Sequence, residues 1–101
     1  MKNALVTGAG KRLGRAMAIY LAERGYSVAV HYASSAQDAR EVVGIIEGMG
    51  GKAVALQADL LSENDTQALI PNAMSALGGP ITCLVNNASI FDYATLQTAT
   101  R

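Results

Sequence analysis

An α/β protein built on a doubly wound parallel sheet is the architecture this sequence predicts, and three observations predict it. Short apolar runs of β character alternate along the chain with amphipathic stretches of helical length. Glycines punctuate the joins, at Gly8 to Gly14, Gly25, Gly50-Gly51 and Gly78-Gly79. Two segments that could meet a ligand, Thr7 to Gly14 and Asn86 to Ser89, each follow a strand signal, which puts both at the same edge of a parallel sheet.

The elements follow in order. Asn3 to Thr7 reads as a strand. Leu13, Met17, Tyr20, Leu21 and Arg24 fall at i, i+4, i+7, i+8 and i+11, a helical stripe that ends in a solvent-side charge. Gly25 stops that helix as a C′ glycine. Tyr26 to Tyr32, with Val28-Ala29-Val30 at its centre, is apolar enough for a buried parallel strand. Ala36 to Met49 is the second helix, with Val42, Val43, Ile46 and Met49 on one face. Gly44 and Gly48 weaken it by up to about 1 kcal/mol each relative to alanine, so packing must support it. Lys52 to Gln57 is the third strand. Ser62-Glu63-Asn64-Asp65 has the form of an N-cap with an acidic first turn. Leu69, Ile70, Ala73, Met74 and Leu77 continue a helix in which Pro71 predicts a kink or a break into two parts. Ile81 to Asn86 is the fourth strand, and Asn87 onward reads as loop with weak helical potential near the end.

Four parallel strands joined by three helices predict the spatial order 3-2-1-4. The first and fourth strands then meet at the topological switch point, where ligands bind outside the strand C-terminal ends. Strand, glycine-rich turn and helix in succession form an anion-binding arrangement. Glycines let the backbone approach closely, and the helix N-terminus offers unpaired N–H groups and a positive dipole end.

Composition narrows the function classes. At 101 residues the chain is at most one domain, and with 50% hydrophobic and 16% charged residues it can bury a core. Its formal net charge is zero, which argues against nucleic acid or an anionic membrane as partner, apart from a local basic spot at Lys11, Arg12 and Arg15. No run approaches membrane-spanning length, and none has the form of a signal-peptide core. Cys83, the one cysteine, reads as a reduced, buried small hydrophobe, so a reducing, cytoplasmic compartment is expected. No metal-ligand cluster stands out.

The glycine spacing departs from G-x-G-x-x-G: Gly8 and Gly10 fit, but the third place falls on Leu13 and Gly14 comes one residue late. It resembles instead the T-G-x-x-x-G-x-G turn of the short-chain dehydrogenase/reductase family, with Thr7, Gly8 and Gly14 in register and Arg12 in the middle glycine place. Thr7 to Arg15, His31-Tyr32-Ala33-Ser34-Ser35, Gln57-Ala58-Asp59-Leu60 and Asn86-Asn87-Ala88-Ser89 together resemble its pteridine reductase branch. Most of the family ends the last motif in Gly rather than Ser.

The resemblance covers essentially the whole chain and implies a Rossmann-like fold, a nicotinamide cofactor and a named set of contacts. These are Gly8, Gly10, Arg12, Leu13 and Gly14 in the turn; His31, Tyr32, Ser34 and Ser35 after the second strand; Asp59 and Leu60 after the third; and Asn87, Ala88 and Ser89 beneath the nicotinamide. Ser89 and Phe91 would meet substrate, Phe91 by stacking on a flat ring such as a pterin. Simpler roles stand beside these: Thr7 and His31 as strand-end residues, Asp59 as a cap of the third helix, Ser89 as a turn residue and Phe91 as a loop anchor.

The segment after the second strand favours NADP(H). An NAD site needs a carboxylate there to hold the ribose hydroxyls, whereas His31 to Ser35 offers only neutral groups. Arg12 can add a permanently charged fork for a 2′-phosphate. Reduction also needs a proton donor. The family draws it from a tyrosine followed four residues on by lysine. Here Tyr20, Tyr26, Tyr32 and Tyr93 are followed at that spacing by Arg24, Val30, Ala36 and Gln97, so no catalytic residue is assigned. Residues 1–101 therefore read as a partial dinucleotide-binding domain, the N-terminal part of a longer NADPH-dependent reductase, expected to be a homo-oligomer (a tetramer) when complete. Its substrate would be a pterin or another carbonyl or imine compound. The rival readings are an NADP(H)-binding module without turnover, an inactive remnant, and a flavodoxin-like enzyme, which leaves Asn86 to Ser89 unexplained.

Overall fold

The computed structural model describes residues 2–8 and 12–86, with the backbone alone described at Arg12. Among them the seven elements run β1 (Asn3–Val6), α1 (Arg12–Glu23), β2 (Ser27–Tyr32), α2 (Ala36–Gly48), β3 (Ala53–Gln57), α3 (Glu63–Leu77) and β4 (Cys83–Val85). The strands form one parallel sheet in the order β3-β2-β1-β4. This is the expected Rossmann-like order, with helices on both faces.

Strand parity decides which helix covers which residue. Ala4, Val6, Val28, Val30 and Ala53 pack with Ala18, Leu21 and Ala22 of α1 and Ala39, Val42 and Ile46 of α2. Leu5 and Ala29 point the other way and pack with Leu69, Ala73 and Leu77 of α3. β1 and β2 are covered on both sides, which is why they carry near-continuous apolar sequence. Each fully buried Val or Leu there contributes roughly 1.5–3 kcal/mol relative to an exposed one. Three buried polar residues, Asn3, Thr7 and His31, interrupt this core. All three are hydrogen-bonded, and no buried side-chain nitrogen or oxygen among the described residues lacks a partner.

The sheet-facing stripe of α1 differs from the expected one. Leu13 and Tyr20 are exposed, and Gly14, Ala18, Leu21 and Ala22 face inward. Small residues win that face because α1 must lie close over β1 and β2, where a row of large side chains would hold it off. The end of α1 follows expectation: Gly25 has φ +91°, its N–H donates to the Ala22 carbonyl, and the Tyr26 N–H donates to that of Leu21. In α2, Val42 and Ile46 are buried as expected, while Met49 lies at the exposed C-cap.

Ser62 caps α3 through its Oγ, which accepts the Asp65 N–H at 3.2 Å. α3 then runs through Pro71 as a single element, and the expected division into two parts does not occur. Pro71 is on the exposed side, opposite Leu69 and Ala73, so the Gln67 carbonyl that it leaves without an amide donor can turn to water.

β4 is shorter than predicted, three residues instead of the run from Ile81 to Asn86, because its ladder has only the short β1 to pair with. The Thr82 N–H still reaches the Asn3 carbonyl at 2.8 Å. Cys83 is a free thiol, half-buried against the α1/α2 core rather than fully buried. Among the described residues no helix is long and apolar enough to cross a membrane.

Candidate functional site

Because all four strands are parallel, their C-terminal ends share one edge, and a hydrogen-bond chain ties those ends together. Thr7, at the end of β1, donates its N–H to the Val85 carbonyl of β4 at 2.9 Å, and its Oγ lies 3.3 Å from the same oxygen. Gly8 follows with φ +62°, a left-handed conformation that glycine adopts without the Cβ penalty of other residues. This is where the chain leaves the sheet toward α1.

The Gly8 N–H donates to Nδ1 of His31 at 3.0 Å, and Nε2 of the same ring lies 2.9 Å from the Ala58 carbonyl. Those partners assign the tautomer. Nδ1 must offer a lone pair to an N–H, so Nε2 carries the proton and donates it to the carbonyl. His31 is 2% exposed. Burial pushes its pKa below the usual 6.5, and the Ala58 carbonyl, which favours the protonated ring, offsets this only in part. The Ala58 N–H in turn donates to the Tyr32 carbonyl at 3.1 Å, closing β2 to β3.

The β3–α3 turn is held by two carboxylates. Asp59 Oδ1 accepts the Leu61 N–H at 2.9 Å, and Asp65 Oδ2 accepts the Asp59 N–H at 2.9 Å. Asp59 thus shapes the turn before α3, while Ser62 is the residue that caps the helix. Leu60 packs in part against the Leu5–Leu69 core.

The first turns of the three helices differ. α2 begins with Asp38 and α3 with Glu63 and Asp65, whereas α1 has no acidic residue in its first turn. The chain supplies its own anions at two helix N-termini and none at the one beside the Gly8 turn.

The structure therefore gathers Gly8, Gly14, His31, Tyr32, Ser34, Ser35, Asp59 and Leu60 along one edge. Gly14 is buried, and Leu13 beside it is 65% exposed. Tyr32 packs in part against the α1/α2 core, Ser34 is exposed, and the Ser35 side chain makes no cap bond to α2. His31, expected to be either a cofactor contact or a strand-end residue, has both ring nitrogens engaged by the chain itself. Gly10, the Arg12 side chain, Asn87, Ala88, Ser89 and Phe91 lie outside the described residues. The role of the Ala58 carbonyl was not foreseen. The available signal was a histidine inside an otherwise apolar strand, which needs two partners once buried. Among the described residues no cluster of His, Cys, Asp or Glu is arranged to hold a metal.

Comparison with known proteins points the same way as this edge. The short chain dehydrogenase family profile matches residues 2–101. An uncharacterized oxidoreductase, YgfF, of Escherichia coli strain K12 is 44% identical over 101 residues, which is 99% of this chain and 40% of YgfF. A short-chain dehydrogenase/reductase homolog, YusS, of Bacillus subtilis strain 168 is 46% identical over 89 residues, covering 88% of this chain and 81% of YusS. The crystal structure of FolM alternative dihydrofolate reductase 1 from Brucella canis, complexed with NADP, superposes with a TM-score of 0.81 at 39% identity, covering 89% of this chain and 35% of that one.

Proposed function

The chain belongs to the short-chain dehydrogenase/reductase family, and on that premise we propose that it binds NADP(H) at the C-terminal edge of its sheet, in the service of reducing a small carbonyl or imine compound. The observation that carries this reading is the Gly8 turn, which leaves β1 beside β4 at a positive φ and leads to a helix N-terminus without an acid of its own. The donor set fits a phosphorylated dinucleotide. Tyr32, Ser34 and Ser35 bring no carboxylate to the place where a 2′-phosphate would sit, and Arg12 stands at the start of α1.

In this reading the backbone of Gly8, Gly10, Leu13 and Gly14 lines the phosphates. Arg12, Ser34 and Ser35 hold the 2′-phosphate, and Asp59 and Leu60 border the adenine. Asn87, Ala88 and Ser89 support the nicotinamide ring, which supplies the hydride when bound. Phe91 stacks on the substrate, for which a pterin is our preferred class. Cytoplasmic placement and assembly into a homo-oligomer belong to the same proposal, as does the assignment of residues 1–101 to a partial dinucleotide-binding domain, the N-terminal part of a single-domain reductase.

Arg12→Ala tests the cofactor assignment. Loss of a charge-assisted contact to the 2′-phosphate should weaken NADPH binding about 10–100-fold and leave NADH binding nearly unchanged, as read by titration calorimetry. Equal losses for both cofactors would reject the role of Arg12. Oxidation of NADPH on adding a pterin would separate the reductase from the binding module.

A further inference from the structure

One imidazole joins the two turns that the cofactor reading assigns to the phosphates and to the adenine of the dinucleotide. Nδ1 of His31 holds the Gly8 N–H, at the phosphate turn, and Nε2–H holds the carbonyl of Ala58, the residue before the adenine-bordering Asp59. We propose that His31 is a positioning residue for the Gly8 turn and makes cofactor affinity depend on pH, the neutral ring holding the turn in its binding shape and the protonated ring releasing it. The proposal rests on the cofactor reading above.

The geometry makes the two bonds unequal. Nε2–H donates to Ala58 in either protonation state. Nδ1 accepts from Gly8 only while it is unprotonated; once protonated, two N–H donors face each other at 3.0 Å. Gly8 already sits in a left-handed conformation with that bond helping to hold it, so losing the bond acts on the turn first and on the β2–β3 connection last.

The groups around His31 leave it as the switch. Among the described residues the titratable side chains on its face of the sheet are Asp59 in the turn and Glu63 and Asp65 on α3. Asp59 and Asp65 are engaged by backbone N–H groups. β1 and β3 carry no titratable side chain, Cys83 of β4 packs on the opposite face, and Tyr32 is the neighbour on β2. On the far face, Arg15 of α1 pairs with Glu41 of α2 at 3.6 Å. Burial places the His31 transition below 6.5. A group whose pKa is depressed in the folded, binding-competent state contributes above its unfolded value. That contribution is therefore complete above about pH 6.5 and is lost as pH falls through the lowered value.

The test uses the full chain, in which His31 is the only histidine, so that one imidazole is observed without overlap. Long-range ¹H–¹⁵N spectra at pH 7 should show a proton on Nε2 and none on Nδ1, and the Gly8 amide should titrate together with the ring. A proton on Nδ1 at pH 7 overturns the proposal without any variant. NADPH dissociation constants are then measured from pH 7.5 down to one pH unit below the His31 midpoint that the same spectra give, in the wild type and in His31→Asn, whose Oδ1 can accept the Gly8 N–H without titrating. The wild type should lose at least about fivefold more affinity than His31→Asn over that range; titration of the cofactor's own phosphate is common to both and cancels in the ratio. Parallel profiles overturn the proposal. Absence of NADPH binding at every pH in both proteins, with the Gly8 amide still following His31, overturns the cofactor reading instead.

Discussion

Leu5 and Leu84 are the same residue type, paired in register on adjacent strands, and they have opposite fates: Leu5 is fully buried and Leu84 is 47% exposed. Both lie on the α3 face. α3 packs against β1, β2 and β3, so it covers Leu5 and leaves its neighbour on β4 in contact with solvent. The opposite face is roofed by two helices, α1 and α2, and holds the larger apolar cluster. Burial here is decided by what lies above a strand position and not by the residue placed there.

The largest expected effect tests that contrast. Leu5→Ala should cost about 2–5 kcal/mol by cavity formation, while Leu84→Ala should cost less than about 1 kcal/mol, both read from urea unfolding of the full chain. Equal costs would mean that the β4 end of the face is covered in solution.

Pro71 sharpens the account of α3 itself. Its ring sits in the exposed side of a continuous helix, so Pro71→Ala should restore a backbone hydrogen bond to Gln67 and raise stability by roughly 1–3 kcal/mol. No gain would mean that the helix has already relaxed around the proline.

The smallest effect belongs to the two-helix face. An added Cβ at Gly44 meets nothing within 4 Å, so Gly44→Ala in α2 should stabilise by about 0.5–1 kcal/mol, visible as a raised melting temperature. A loss would show that another group approaches this position in solution.

Much of the fold was legible in sequence because its signals are local. Gly25 and Ser62 mark helix ends through backbone geometry and short-range hydrogen bonds that need only a few neighbouring residues. The apolar run Val28-Ala29-Val30 announces a strand buried on both faces. What was misread depends on neighbours far along the chain. The inward face of α1 went to Gly14, Ala18 and Ala22 rather than Leu13 and Tyr20, because closeness of approach to the sheet outweighed hydrophobicity. The length of β4 followed from the length of β1.

The candidate site divides in the same way. Sequence by itself determined where the turns fall, that Gly8 stands at one of them, and that no carboxylate lies between β2 and α2, since each of these is a property of residue type and spacing. Only the tertiary structure decided what His31 does. Its partners, Gly8 and Ala58, lie 23 and 27 residues away in the chain, and parallel pairing brings both to the end of β2. A buried imidazole must satisfy two nitrogens, but which groups satisfy them is set by the register of three strands, a long-range property that no local pattern encodes.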